Sequence, residues 1–392
     1  MLLNTFAPPF RLVGGYFVAG VLFLLISIFA FFKADFAQIL SLSTAGFAHI
    51  FFVGFVMSII VGALYQLTSV ILEKAFFTIR GAFLNFILFC TGTLLLGFGL
   101  LYEKMAIFRI GGDVLFLSLL FFCLTFLLSF INSTKNSFAK YALLISGLFL
   151  LVGITFGFLL ILILSGTISF DFKTALHFHI YFVLGFVFFI IVGVSTVLLP
   201  MFALSHDVKF LSSKISLFLY IVAGFCLYVE LNLALVFIGF SILCFIFQAF
   251  LIMKKRVRKA FDYWNLNVAL SLFSLIAASI FIYFGKNEIA IWFFIYGFLY
   301  AFIVAHLYKI APFLIWYHYI ALFVGKTKVP LLDNMILKKP AYIALGLNVV
   351  GIFSYIFWTN FAVVFMFASI FLVCVNMINF FKYTNFGENY ER

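Results

Sequence analysis

Long apolar runs separated by short polar stretches set the pattern of this chain. A helix needs about 20 apolar residues to cross a bilayer. Twelve runs approach or exceed that length, at 11–32, 43–71, 82–102, 107–131, 139–165, 174–204, 213–229, 231–253, 263–284, 288–311, 341–359 and 361–383. The pattern predicts an all-α polytopic membrane protein of about twelve transmembrane helices, in a single membrane domain over 1–392. Spans seven and eight form one apolar stretch, interrupted only by the polar pair Glu230 and Asn232. Reading them as two helices is an expectation, because one long helix there would reverse every later loop.

Charge tests that count. With twelve spans, the termini and even-numbered loops share one side. That side carries eighteen Lys and Arg, including Lys254, Lys255, Arg256, Arg258 and Lys259, against five on the other (Lys33, Lys104, Arg109, Lys173 and Lys286). Positive charge collects in cytoplasmic loops, so both termini are expected in the cytoplasm, with the chain in a bacterial inner membrane. The same bias accounts for the net charge of +12, and no extended basic surface exists to bind nucleic acid. Composition excludes a water-soluble enzyme: 67% of residues are hydrophobic and only 9% charged, where soluble domains carry roughly 25%. The five cysteines lie inside apolar runs with no CxxC spacing, which argues against disulfides and thiolate metal sites. No cleavable signal is visible at the start.

An internal repeat follows from the glycines. Gly54-Phe-Val-Met-Ser-Ile-Ile-Val-Gly62 in span two resembles Gly185-Phe-Val-Phe-Phe-Ile-Ile-Val-Gly193 in span six, and Gly297-Phe-Leu-Tyr-Ala-Phe-Ile-Val-Ala305 in span ten resembles both. Ser69, Pro200 and Pro312 each stand at the same offset from their leading glycine. Copies fall four spans apart, which predicts three four-helix units, approximately 11–131, 139–253 and 263–383. The six-plus-six symmetry of the commonest twelve-span transporters does not fit this period.

Candidate chemistry rests on histidine. His49 lies early in span two, and His177 and His179 early in span six, so all three rings are expected at one depth. Residues two apart on a helix point about 200° apart, so His177 and His179 serve two sites rather than one. Imidazole suits low-spin haem iron. Relative to the shared glycine, His49 is five residues before and His179 six, so equivalence of the two needs a local adjustment of the helix. His306 in span ten is a further candidate metal ligand, in a polar cluster with Tyr300, Tyr308, Lys309 and Pro312. There Pro312 is expected to end the span at the interface. His318, in the segment 313–323, is expected on a surface helix with Trp316 and Tyr317 at the headgroups. His206 is expected in a solvated loop.

Span six, with His177-Phe178-His179, Gly185, Gly193 and Pro200-Met201-Phe202, resembles subunit I of the haem–copper oxidase and nitric-oxide reductase superfamily. A similar group is the NnrS family, tied to nitric oxide response. The resemblance implies twelve helices with pseudo-threefold symmetry. It implies His49 and His179 as the axial pair of a low-spin b-type haem, and His177 as ligand of a second haem or metal. It further implies a redox role in electron transport, with quinol or a cytochrome as electron donor and partner membrane subunits. The chain departs from the family in two ways: its motif stands on the sixth span rather than the tenth, and no consecutive His pair exists to hold copper. Trp292 and Ile291 stand where a span-ten ligand would align. Two other readings use the same fold. One is a metal or haem transporter with His177, His179 and Met201 as transient ligands. The other is a sensor or assembly factor that binds haem without turnover.

Overall fold

The computed structural model describes residues 6–36, 38–257 and 259–386. Twelve long helices follow the apolar runs: α1 Phe10–Phe31, α2 Leu42–Leu72, α3 Ala82–Leu101, α4 Met105–Leu128, α5 Phe138–Leu164, α6 Phe172–Ala203, α7 Leu211–Val229, α8 Leu231–Lys254, α9 Tyr263–Tyr283, α10 Asn287–Phe323, α11 Lys338–Ser354 and α12 Thr359–Phe381. Eleven are long and apolar enough to cross a bilayer. The other, α11, has 17 residues, or about 26 Å at the α-helical rise, against about 30 Å of hydrocarbon. The chain is an integral membrane protein built from helices.

Polar residues at the run edges fix where helices begin. Ser41, Ser137, Asp171 and Asp262 are N-caps whose side chains accept the backbone N–H of Thr44, Lys140, Thr174 and Asn265. A cap satisfies a donor that has no partner within the helix. The break between α7 and α8 is at Glu230, whose backbone is extended (φ −156°, ψ 130°). The two helices are therefore separate, and they run antiparallel: Ser216 and Ser241 each donate to the other's carbonyl at 2.7 Å.

One expected boundary is moved. Pro312 does not end span ten; α10 continues through it to Phe323, with π-helical turns at Trp316–Ile320 and a 3-10 turn at Ala321–Phe323. Proline removes one backbone donor and crowds the carbonyl four residues before it, yet the helix stays α-helical through Ile315 before the π turn begins. His318 and Trp316 thus belong to the end of a membrane helix rather than to a separate surface helix.

Two compact units partition the chain. The first comprises Met1–Pro8 and Ile60–Lys259, the second Pro9–Ile59 and Ala260–Arg392. In the first unit, α3 pairs with α4 and α5 with α6 where glycine lets backbones approach. A Cβ on Gly111 of α4 would lie 2.2 Å from the Leu96 nitrogen of α3, so no larger residue fits there. Tyr181 of α6 and Tyr220 of α7 exchange hydroxyl-to-carbonyl bonds of 2.7 and 2.9 Å. In the second unit, α1 packs on the outer half of α2, where Phe23 covers Gly54. α9 packs on α10 at Ser274 and Gly297, and α11 on α12 through the Ser369 bond to the Ala344 carbonyl (2.7 Å).

Candidate functional site

His49 lies in the second unit and His177 and His179 in the first, so each is described within its own unit. His49 is the eighth residue of α2 and His179 the eighth of α6. Each is about 10 Å along its own helix at 1.5 Å per residue.

His49 opens a π-helical stretch, His49–Met57. Its Nδ1–H donates to the Ala45 carbonyl at 2.7 Å. A carbonyl can only accept, so the proton is on Nδ1 and the lone pair on Nε2. Histidines that bind metals commonly donate their other ring N–H in this way, which fixes tautomer and orientation.

His179 reaches the same tautomer by another route. Its Nδ1–H donates across the α5–α6 hairpin to the Gly153 carbonyl at 2.9 Å. Gly157, one turn along α5, makes room for the ring: a Cβ there would lie 2.8 Å from His179 Cε1 and 3.1 Å from Nδ1. Nε2, 3.8 Å away, is the ring nitrogen set back from α5. His177 is half-buried on the same helix, and two residues of separation turn it about 200° from His179.

His306 is buried in α10 of the second unit, with its Nδ1–H on the Phe302 carbonyl at 2.7 Å. The Phe302 ring lies 4.3 Å away and the Trp264 ring meets it edge-on at 6.4 Å. It is a ring in an aromatic nest. His206 is exposed. No group of three or more His, Cys, Asp or Glu gathers into a metal cage among the described residues.

The polar cluster around His306 has partners that lie far away in sequence. Lys309 pairs with Asp262, the N-cap of α9, at 3.0 Å, and its ammonium stands 5.1 Å from the Tyr263 ring centroid. Burial alone would raise the Asp262 carboxyl. The Asn265 backbone N–H and the Lys309 charge outweigh it and hold the group below the usual carboxylate range. Tyr263 donates to Asp333 at 3.3 Å. Asp333 is likewise held low, chiefly by its hydrogen bond from Lys338.

The three glycines aligned in the sequence differ in winding. Gly54 and Gly297 sit in π-helical stretches, His49–Met57 and Phe293–Tyr300, whereas Gly185 sits in regular α-helix. A π turn closes over i→i+5 and takes more residues. Five residues from His49 to Gly54 therefore sweep less rotation than in an α-helix. The adjustment does not close the one-residue offset between His49 and His179.

No known protein family and no characterised protein matches this chain in sequence. Sequence reading missed Asp262 as the partner of Lys309 and the Gly153–Gly157 cradle of His179. The cradle had a signal, a small-xxx-small spacing that marks close helix approach. The Lys309 partner had none, since 47 positions separate the pair.

Proposed function

We propose that this protein is a haem-binding redox protein of the membrane, with His49 and His179 as axial ligands of low-spin b-type haem. His177 is assigned to a second haem or metal. The observation that carries this reading is the shared tautomer: His49 and His179 each donate Nδ1–H to a backbone carbonyl, at 2.7 and 2.9 Å, and hold Nε2 as the coordinating atom. Each is the eighth residue of its own helix. A neutral imidazole is also the form a hydrocarbon setting favours.

The donor set fits haem better than a protein-caged metal ion. Axial ligation asks one imidazole per face, whereas a cage asks three or four converging side chains. Bound haem supplies one-electron chemistry. The chain orients the rings: the Ala45 and Gly153 carbonyls fix the protons on Nδ1, and the α5 glycines hold the His179 plane.

The same proposal carries an oxidoreductase role in electron transport, with quinol or a cytochrome as donor and partner membrane subunits. It carries the three repeat units and the haem–copper oxidase-like ancestry. It places the lysine-rich loops and termini at the cytoplasmic face of a bacterial inner membrane. His306 is not assigned to the haem. Its tautomer matches, and its aromatic surroundings make packing the better account.

His49→Ala and His179→Ala, purified separately, test the assignment. Each is expected to abolish the low-spin reduced α band while the helical circular dichroism persists. An unchanged band in either variant removes that residue from the ligand set.

A further inference from the structure

Asn348 is a polar side chain in the middle of α11, with no exposed surface. Neither its Nδ2 nor its Oδ1 meets a protein hydrogen-bond partner among the described residues. Burying an amide with both ends unpaired is strongly unfavourable, so the group calls for a ligand.

Its surroundings follow from its neighbours on the helix. Ala341, Ala344, Asn348, Gly351 and Ile352 form the buried stripe of α11. One turn before Asn348, the Ala344 carbonyl accepts from Ser369, whose Oγ lies 2.9 Å from the Tyr300 hydroxyl. One turn after, Ile352 packs towards Gly297 in the π stretch of α10. Ser274 of α9 packs on the same glycine, and its buried hydroxyl likewise has no protein partner. Asn348 therefore faces the interior of the second unit. The Tyr300–Ser369 pair meets α11 one turn before it, and Gly297, on which Ser274 packs, meets α11 one turn after.

The chemistry of the amide selects the ligand. A bare cation would satisfy Oδ1 and strand Nδ2; an anion would do the reverse. Water donates and accepts, and a buried water needs two to four polar partners. Asn348 supplies one of each kind and Ser274 supplies a hydroxyl. π-helical stretches recur at functional sites, and here one forms a wall.

We propose that the second unit holds an internal water site, built by Asn348 with Ser274 as its second polar wall. The proposal is independent of the haem reading.

Microsecond X-ray hydroxyl-radical footprinting of the detergent-purified full chain tests it, because radicals form at bound water. Met366 is the reporter: it has no exposed surface, and its sulfur lies 2.9 Å from the position of a Cβ on Gly351. Met57, also buried, is the reference. Met366 is expected to oxidise faster than Met57, and to slow about five-fold in Asn348→Leu, which removes both polar ends. Ser274→Ala is expected to slow it as well. Met366 oxidation no faster than that of Met57 in the unmodified protein, or a rate unchanged in both variants, overturns the site.

Discussion

Lys309 shows how the chain keeps a cation on a membrane helix. An isolated lysine at the centre of a span costs about 2.5–3.5 kcal/mol on insertion scales. Asp262 offsets this by standing at the N-terminus of α9, where the Asn265 N–H also stabilises its charge. The pair is mostly buried, so removing one partner is costly. Asp262→Ala should destabilise the detergent-solubilised protein by about 1–3 kcal/mol, read by thermal unfolding. The pH dependence follows from the depressed carboxyls of Asp262 and Asp333. Their stabilisation is complete above the unfolded carboxylate value of about 3.9 and is lost as pH falls through the lower folded values. The unfolding midpoint should therefore hold between pH 7 and about 5 and fall below about 4. A smaller acid-induced fall in Asp262→Ala would assign part of it to this residue; an identical fall would assign it elsewhere.

At the scale of elements, twelve helices were legible because a bilayer imposes one requirement that sequence displays directly: length without charge. The α7–α8 break was legible from Glu230 and Asn232, since two polar groups this close in hydrocarbon are better placed at a turn. The continuation of α10 past Pro312 was not, because proline stops most helices and nothing local announces that this helix runs on. The π stretches in α2 and α10 were equally hidden. A uniformly apolar helix carries no amphipathic phase from which an extra residue per turn could be read. The α7–α8 hairpin predicts that loops before and after it share a side. In a background without the native cysteines, Lys209→Cys and Lys254→Cys should react with an impermeant thiol reagent from the same face of sealed vesicles. Labelling from opposite faces would mean one continuous span.

At the scale of the whole molecule, chemistry was half legible. The depths of His49 and His179 follow from run boundaries. The His49 and His306 carbonyl bonds are i−4 contacts that any helix offers. The His179 bond to Gly153 spans 26 positions and is visible only in the fold. Asn348 drew no notice in the sequence, and its lack of partners among the described residues shows only in the packing of four helices. The central claim is that these histidines hold haem. Its most direct test is the absorption spectrum of the detergent-purified protein, oxidised and dithionite-reduced, with a pyridine haemochrome assay on the same sample. Sharp reduced α and β bands, with close to one b-type haem or more per chain, are the expected result. A colourless protein, purified from cells supplied with ample haem, would contradict the claim and leave a helical membrane protein with another cargo.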